Sequence, residues 1–284
     1  MIRQAQPRDL PQLISLWQEA FLETEAEAQF YFARRHADQN MLVMASDGLV
    51  TGMLSMLPVS LRIQGRDWPA RYVFAVATRT SHRQQGISSR LLAAAHEAMA
   101  AEGSVASLLV PATPDLFDYY GKRGYAPHFF VDEVRVEARE IEAWPLTGRV
   151  ADCDVQLYLN LRDQAFSACS PYVRWDEKAL AFIKAGNEAS GGAMLQLSYN
   201  GKTAAAVCEV RGDVIRVTEF AGDKADWRIA LSLIHRRFQA KRYLVMLPAD
   251  PQLQGSRRPF GMIHWLGDLP PREDTVPYLA FAKD

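Results

Sequence analysis

Hydrophobic and polar positions follow two rhythms along the chain, and each change of rhythm falls at a turn or cap signal. Ile2-Arg3-Gln4-Ala5 alternate as a short strand does. Asp9-Leu10-Pro11-Gln12 then supplies an N-cap carboxylate, a proline in the first turn and a glutamine at the capping-box position, which predicts a helix start. Leu13, Leu16, Trp17, Ala20 and Phe21 recur at helical spacing and give that helix one apolar face. Extended segments are expected over 41–46 and 49–63, separated by Asp47-Gly48, a pair that suits a type I′ hairpin. Gln64-Gly65 turns the chain into a further strand ending near Val76. Leu91, Leu92, Ala95, Ala98 and Met99 return to helical spacing until Gly103 stops the helix, and 107–110 reads as a buried strand.

The same plan recurs from about residue 172. A helix is expected near 177–185, strands joined by Asn200-Gly201 and Gly212-Asp213, a helix over about 226–240 and a strand at 243–247. Sliding one half over the other by roughly 137 positions sets Leu109-Val110-Pro111-Ala112-Thr113-Pro114 against Met246-Leu247-Pro248-Ala249-Asp250-Pro251. The shared Pro-Ala-x-Pro supports an internal duplication. Charged residues with Pro145 and Gly148 make 137–154 the best linker. The expected organisation is α+β: a first unit over 1–138, a linker and the start of the second unit over 139–171, and a second unit over 172–284.

Composition narrows the function classes. With 284 residues and 49% hydrophobic content, the chain can bury one large core or two medium ones. A net charge of -1 without a basic run lacks the signal of a nucleic-acid or anionic-membrane binder. No apolar run approaches the ~20 residues of a membrane span, and no leader pattern opens the chain, so a cytoplasmic protein is expected. Cys153, Cys169 and Cys208 form no CxxC pair and read as plain thiols. No two histidines stand at metal-ligand spacing, so no metal is expected.

The candidate chemistry begins at Thr78-Arg79-Thr80-Ser81-His82-Arg83-Gln84-Gln85-Gly86-Ile87-Ser88, between a β-rich segment and an amphipathic helix. A turn there aims backbone N–H groups and the positive end of the helix dipole at one point, which makes an anion site. Gly86 leaves room for a phosphate to approach the backbone. Arg83-x-x-Gly86-x-Ser88 resembles the R/Q-x-x-G-x-G/A pyrophosphate loop of GNAT acetyltransferases, with Ser88 in place of the last Gly or Ala. The valine and proline that often precede that loop are Thr78 and Thr80 here.

Downstream, Asp118-Tyr119-Tyr120-Gly121-Lys122-Arg123-Gly124-Tyr125 is similar to the FYxKxGF segment of the same superfamily. There Tyr120 matches the tyrosine that lies near the CoA sulfur and acts as general acid. Tyr119 and Tyr125 read instead as an aromatic cluster closing a core. With a second GNAT-like unit behind, the pair of motifs resembles the enhanced-intracellular-survival group, without that group's sterol-carrier-like domain. At the offset of roughly 137, Gly86 falls on Asp223, and Glu219, Asp223 and Asp226 would repel a pyrophosphate. The second unit is therefore expected to be degenerate, and to bury the back of the first, shape the acceptor pocket or mediate a homo-oligomer.

The resemblance implies a tandem GNAT fold of mixed, mostly antiparallel sheets flanked by helices. It implies an acetyl-CoA-dependent N-acetyltransferase moving an acetyl group to a primary amine. Phe74, Ala75, Val76, Ala77, Thr78, Arg83, Gln84, Gln85, Gly86, Ile87 and Ser88 would hold the donor, with backbone N–H groups around 74–76 facing the thioester oxygen. Two alternatives stand beside it. One is a non-catalytic acyl-CoA-binding regulatory module; the other is an aminoacyl-tRNA-dependent peptide ligase, which the near-neutral charge disfavours. Glu19, Glu23, Glu25 and Glu27 could draw in a cation but read more simply as a solvated helix face, and His82 and His96 as loop and surface residues.

Overall fold

The computed structural model describes residues 1–144, 147–250, 255–267 and 275–281. In chain order, β1 (Ile2–Gln4), α1 (Leu10–Phe21), α2 (Glu25–Arg34), β2 (Met41–Ser46) and β3 (Leu49–Ile63) come first. Next are β4 (Arg66–Thr78), α3 (Ile87–Ala101), β5 (Ala106–Leu109) and α4 (Asp115–Gly121). Then follow β6 (Ala126–Glu137), α5 (Ala138–Ile141), β7 (Arg149–Asp152), α6 (Val155–Ala165), β8 (Tyr172–Arg174) and α7 (Glu177–Ala189). The last elements are β9 (Ala193–Tyr199), β10 (Lys202–Arg211), β11 (Val214–Ala221), α8 (Trp227–Phe238), β12 (Arg242–Pro248) and β13 (Ser256–Trp265).

Two compact units result, one built on residues 1–61, 66–127 and 261–272, the other on 62–65, 128–260 and 273–284. The segment expected as linker and start of the second unit, 139–171, holds most of α5 and all of β7 and α6 and falls within the second unit. Residues 261–265 of β13 belong to the first unit, where Met262 and Ile263 pair antiparallel with Leu109 and Leu108 of β5.

The first unit orders its strands β1-β2-β3-β4-β5 and then the end of β13; the second orders β6-β12-β11-β10-β9-β7. Each unit's strands are mixed, and among the described pairings β4 lies parallel to β5 in the first unit and β11 parallel to β12 in the second. The hairpins form where turn chemistry placed them. Asp47 and Gly48 take φ of 51° and 79°, and Asn200 and Gly201 take 47° and 72°, the left-handed values a type I′ turn requires.

Helix α1 starts where expected but is not capped as expected. The Asp9 side chain makes no cap bond; it receives Arg3 at 2.6 and 2.9 Å and the Gln6 N–H at 2.9 Å. Gln12 does not close a capping box either. It donates to the Gly48 carbonyl at 2.9 Å and accepts from the Val50 N–H at 2.8 Å, tying α1 to the β2–β3 hairpin.

In the first unit, α3 packs Leu91, Leu92, Ala95 and Met99 on Leu42, Leu54, Met56 and Val73 of the sheet. In the second, α8 packs Trp227, Ala230, Leu231 and Ile234 on Leu195, Leu197, Ala206 and Val245. Cys153 and Cys208 are buried free thiols, and Cys169 is a half-buried one. Among the described residues, no helix is long and apolar enough to cross a membrane.

Candidate active site

The parallel pairing of β4 with β5 runs from Ala70↔Ala106 to Tyr72↔Leu108 and ends there, although β4 continues to Thr78. Just past the end of pairing, Ala75 adopts φ 52°. A left-handed alanine inside a strand is a bulge-like kink, which costs about 1–2 kcal/mol and re-aims the backbone around it. Phe74, Ala75 and Val76, expected to face a thioester oxygen, therefore sit where one strand departs from its neighbour. Ala77 is buried beneath them.

From Thr78 the chain enters the loop. Arg79 is fastened from three sides: its Nε donates to the Val50 carbonyl at 2.8 Å, Nη1 to Glu19 at 3.2 Å and Nη2 to the Gln12 carbonyl at 3.3 Å. The other Glu19 oxygen accepts the Thr80 N–H, and this backbone bond, with Arg79 beside it, holds the Glu19 carboxyl below its ordinary pKa. Gln84 and Gly86 then take φ of 62° and 71°. Gly86 is the N-cap residue of α3 and brings no side-chain cap, so the first amides of a 15-residue helix are left for another acceptor. A Cβ built on Gly86 would meet nothing within 4 Å, so the space in front of the helix end is open.

That space is a pocket of about 220 Å³. Of the expected residues, it brings together Thr78, Arg83, Gln84, Gly86, Ile87 and Ser88. Phe74, Ala75, Val76, Ala77, Gln85 and Tyr120 lie outside its wall. The Thr78 hydroxyl is buried without a hydrogen-bond partner, a donor waiting for an acceptor. His82, Ser89, Tyr119 and Arg123 complete the lining and were not singled out from the sequence as ligand residues.

Helix α4 decides the tyrosines. Tyr119 turns toward the loop: its hydroxyl meets Ser88 Oγ at 2.5 Å, and the Arg123 guanidinium covers its ring at 3.4 Å. Arg123 also donates to Ser89 Oγ through Nε at 3.0 Å and Nη2 at 2.6 Å. Tyr119 also packs against the core cluster and meets Tyr120 edge-on at 5.2 Å, as read from the sequence; its place in the pocket wall is what that reading missed. The i, i+4 spacing of Tyr119 and Arg123 was the available signal.

Tyr120 turns the other way, into the cluster that holds Val73 and Leu109, the residues that follow the last parallel pair. It is 8% exposed, and burial, with Tyr119 adding to it, pushes its pKa up to about 12. Among the described residues no group hydrogen-bonds its hydroxyl. Tyr125 is the core tyrosine: its hydroxyl meets Ser107 Oγ at 2.6 Å and His96 Nε2 at 3.0 Å. His96 is not a surface residue. It stacks on His264 of β13 at 4.2 Å, and burial, reinforced by His264, lowers its pKa to about 4.

The four early glutamates each have a structural task. Glu19 holds the loop, and Glu23 accepts the Trp17 indole N–H at 2.6 Å. Glu27 closes a capping box with Thr24, and Glu25 accepts from Gln29 at 2.8 Å.

The second unit repeats the parting of the parallel strands but not the loop that follows it. Pairing of β11 with β12 ends at Val217↔Val245, as that of β4 with β5 ends at Tyr72↔Leu108. Leu108 and Val245 agree with the offset read from the sequence. That offset would set Phe74 on Arg211; the end of pairing sets it on Glu219, so one offset does not serve the whole unit. Glu219 is not at the loop but buried, with Arg162 Nε at 2.8 Å, Tyr158 at 2.6 Å and Tyr278 at 3.2 Å. Between β11 and α8 only residues 222–226 remain, against 79–86 in the first unit, and none is left-handed. Asp223 caps the turn through the Ala225 N–H at 3.0 Å, and Lys202 joins Asp223 and Asp226.

Residues 1–128 match the family model of the acetyltransferase (GNAT) domain. A search of the curated proteins gave no significant match. Among solved structures, a GCN5-related N-acetyltransferase from Anabaena variabilis superimposes with a TM-score of 0.77 at 15% identity, over 94% of this chain and 73% of that one. One from Kribbella flavida gives 0.72 at 18% identity, over 94% and 72%. Eis1 from Mycobacterium abscessus gives 0.69 at 13% identity, over 94% and 74%. These likenesses extend the fold across both units, and residues 1–128 match the GNAT acetyltransferase domain.

Proposed function

We propose that the first unit is an acetyl-CoA-dependent N-acetyltransferase of the cytoplasm that acetylates a primary amine by direct attack. The observation that carries the reading is the continuity of one backbone path: strands that part after Tyr72, a kink at Ala75, and an uncapped α3 behind the left-handed Gly86. A thioester fits between parted strands, and a pyrophosphate fits an uncapped helix end. The residues present suit the donor: Thr78 offers an unpaired hydroxyl, while Arg83 and Arg123 bring positive charge to the pocket.

In this reading, N–H groups around Phe74–Val76 hold the thioester oxygen and stabilise the oxyanion as the amine nitrogen bonds to the carbonyl carbon. The C–S bond breaks, and sulfur leaves with its electron pair. Tyr120, raised to about 12, is a poor full proton donor to a thiolate whose conjugate thiol has a pKa near 8.5; transfer is uphill by about 5 kcal/mol. Its protonated hydroxyl serves better as a hydrogen-bond donor that steadies the leaving sulfur.

Thiol release from acetyl-CoA across a panel of amines tests this. Gly86→Glu puts a carboxylate where the phosphates belong and should remove acetyl-CoA binding. Tyr120→Phe should lower kcat by about 10–100-fold at nearly unchanged acetyl-CoA affinity, in the range of a positioned proton donor. Acetyl-CoA binding with no amine-dependent release, indifferent to Tyr120→Phe, would favour the regulatory module instead.

A further inference from the structure

On the face of β4 opposite α3, the parted strand meets an aromatic wall. Phe74 lies 5.9 Å from Trp17 of α1, 5.4 Å from Tyr31 of α2 and 6.4 Å from Tyr72. Trp17 stacks on Tyr31 at 4.5 Å, and Phe21 meets Trp17 edge-on at 4.9 Å. Phe74 keeps part of its surface open, and Phe21 is exposed. Beside Phe21, Leu22 ends α1 at φ 57° and is 91% exposed. A left-handed residue is a common way to end a helix, and here it leaves a leucine side chain bare to water next to Phe21 in the chain.

The carboxylates on and between α1 and α2 near this wall are spoken for. Glu19 is bonded to Thr80 and Arg79, Glu23 to the Trp17 indole, and Glu27 to its own cap. At the offset that the ends of pairing give, Tyr72 to Val217, Trp17 and Phe74 fall on Arg162 of α6 and Glu219 of β11, which form a buried ion pair. Apolar residues at this pair are therefore a property of the unit that carries the open loop, not of the fold.

We propose that the acceptor is a primary amine bearing an aromatic or branched aliphatic group, which packs against Phe74 under the rim of Phe21 and Leu22, and that polycationic amines are poor acceptors. This rests on the acetyl-transfer reading above. The amine nitrogen forms the C–N bond as the C–S bond breaks; the proton lost by the nitrogen balances the thiolate as thiol. An apolar wall also helps that proton leave. An ordinary alkyl amine is neutral only about once in 2500 molecules at pH 7, and desolvation against aromatic rings lowers its pKa, whereas a free carboxylate would raise it.

The test measures kcat/KM for 2-phenylethylamine and 3-methylbutylamine against spermidine and kanamycin, at saturating acetyl-CoA, in the full-length protein and in Leu22→Glu. Residue 22 is solvent-exposed, so the variant should fold, and acetyl-CoA binding measured by calorimetry serves as the control. The expected result is at least about a tenfold preference for the apolar amines, in the range one buried apolar group confers, and a smaller or reversed preference in Leu22→Glu. Spermidine or kanamycin used as well as the apolar amines, or a ratio unmoved by Leu22→Glu, would overturn the proposal while leaving the acetyl-transfer reading intact. Failure to bind acetyl-CoA at all would overturn both.

Discussion

Two strand–loop–helix passages in one chain, β4 to α3 and β11 to α8, show how little must change to make or unmake an anion site. Both begin where a parallel pair parts and both lead into an amphipathic helix packed on its sheet. The first leaves its helix end uncapped and lines the approach with Arg83, Arg123 and an unpaired Thr78 hydroxyl. In the second no residue of the passage is left-handed, Asp223 caps the short turn that runs into α8, and Asp226 stands at the α8 N-cap with a carboxylate but no side-chain cap bond. At the strand itself, the first unit carries an aromatic cluster with Phe74 partly open, where the second carries a fully buried ion pair. A helix N-terminus is an anion site only when the chain neither occupies it nor sets carboxylates beside it.

The largest effect should come from breaking the pair that fills the second unit. Arg162 and Glu219 are 1% and 0% exposed, and four aromatic rings surround the guanidinium. Arg162→Met leaves Glu219 buried and uncompensated and should cost about 3–5 kcal/mol in a denaturant melt. The double variant with Glu219→Leu should recover most of that loss. If the single and double variants are equally destabilised, the ion pair is not what holds this region.

Next is the seat of α3. A Cβ on Gly52 would stand 2.5 Å from Ile87 Cγ2 and 3.2 Å from the Ala77 carbonyl, so only glycine lets the helix end approach β3. In the second unit, Ala204, Ala206 and Cys208 of β10 share a cluster with α8. Gly52→Val should destabilise by about 1–3 kcal/mol and weaken acetyl-CoA binding, through a helix end pushed off its strand. Normal binding in Gly52→Val would show that the close seat is not needed.

A smaller effect concerns pH. His96 is lowered to about 4 by burial, then by His264, so between about pH 6.5 and 4 the unfolded chain binds a proton that the folded one refuses. Stability should fall as pH drops through that window, by on the order of 2 kcal/mol, and His96→Gln should flatten the fall. An unchanged profile would place His96 in a more hydrated setting. The smallest effect is at Arg123: Arg123→Ala should weaken acetyl-CoA binding about tenfold, the loss of one charge-assisted contact, with Tyr119→Phe milder.

What the sequence made legible was what is decided locally. Asp47-Gly48 and Asn200-Gly201 name their turns because few residue pairs accept two positive φ values, and Gly86 marks the α3 start for the same reason. What it hid was decided at a distance. Nothing near residue 262 says that it pairs with Leu109, and Asp9 looks like an N-cap until Arg3 is seen to hold it. Tyr119 and Tyr120 are neighbours on a seven-residue helix, yet one faces the loop and the other the core; only the packing of α4 separates them. The repeat was visible at β5 and β12, but the shorter path from the end of pairing to the facing residue, Val217 to Val245 against Tyr72 to Leu108, hid that Phe74 falls on Glu219.

The most direct test is the stoichiometry of CoA binding by calorimetry on the full-length protein, its Gly86→Glu variant and an Asp223→Ala/Asp226→Ala variant. The account requires one site per chain, lost in Gly86→Glu and kept when the second loop is stripped of its carboxylates. Two sites, or a single site indifferent to Gly86→Glu, would contradict it.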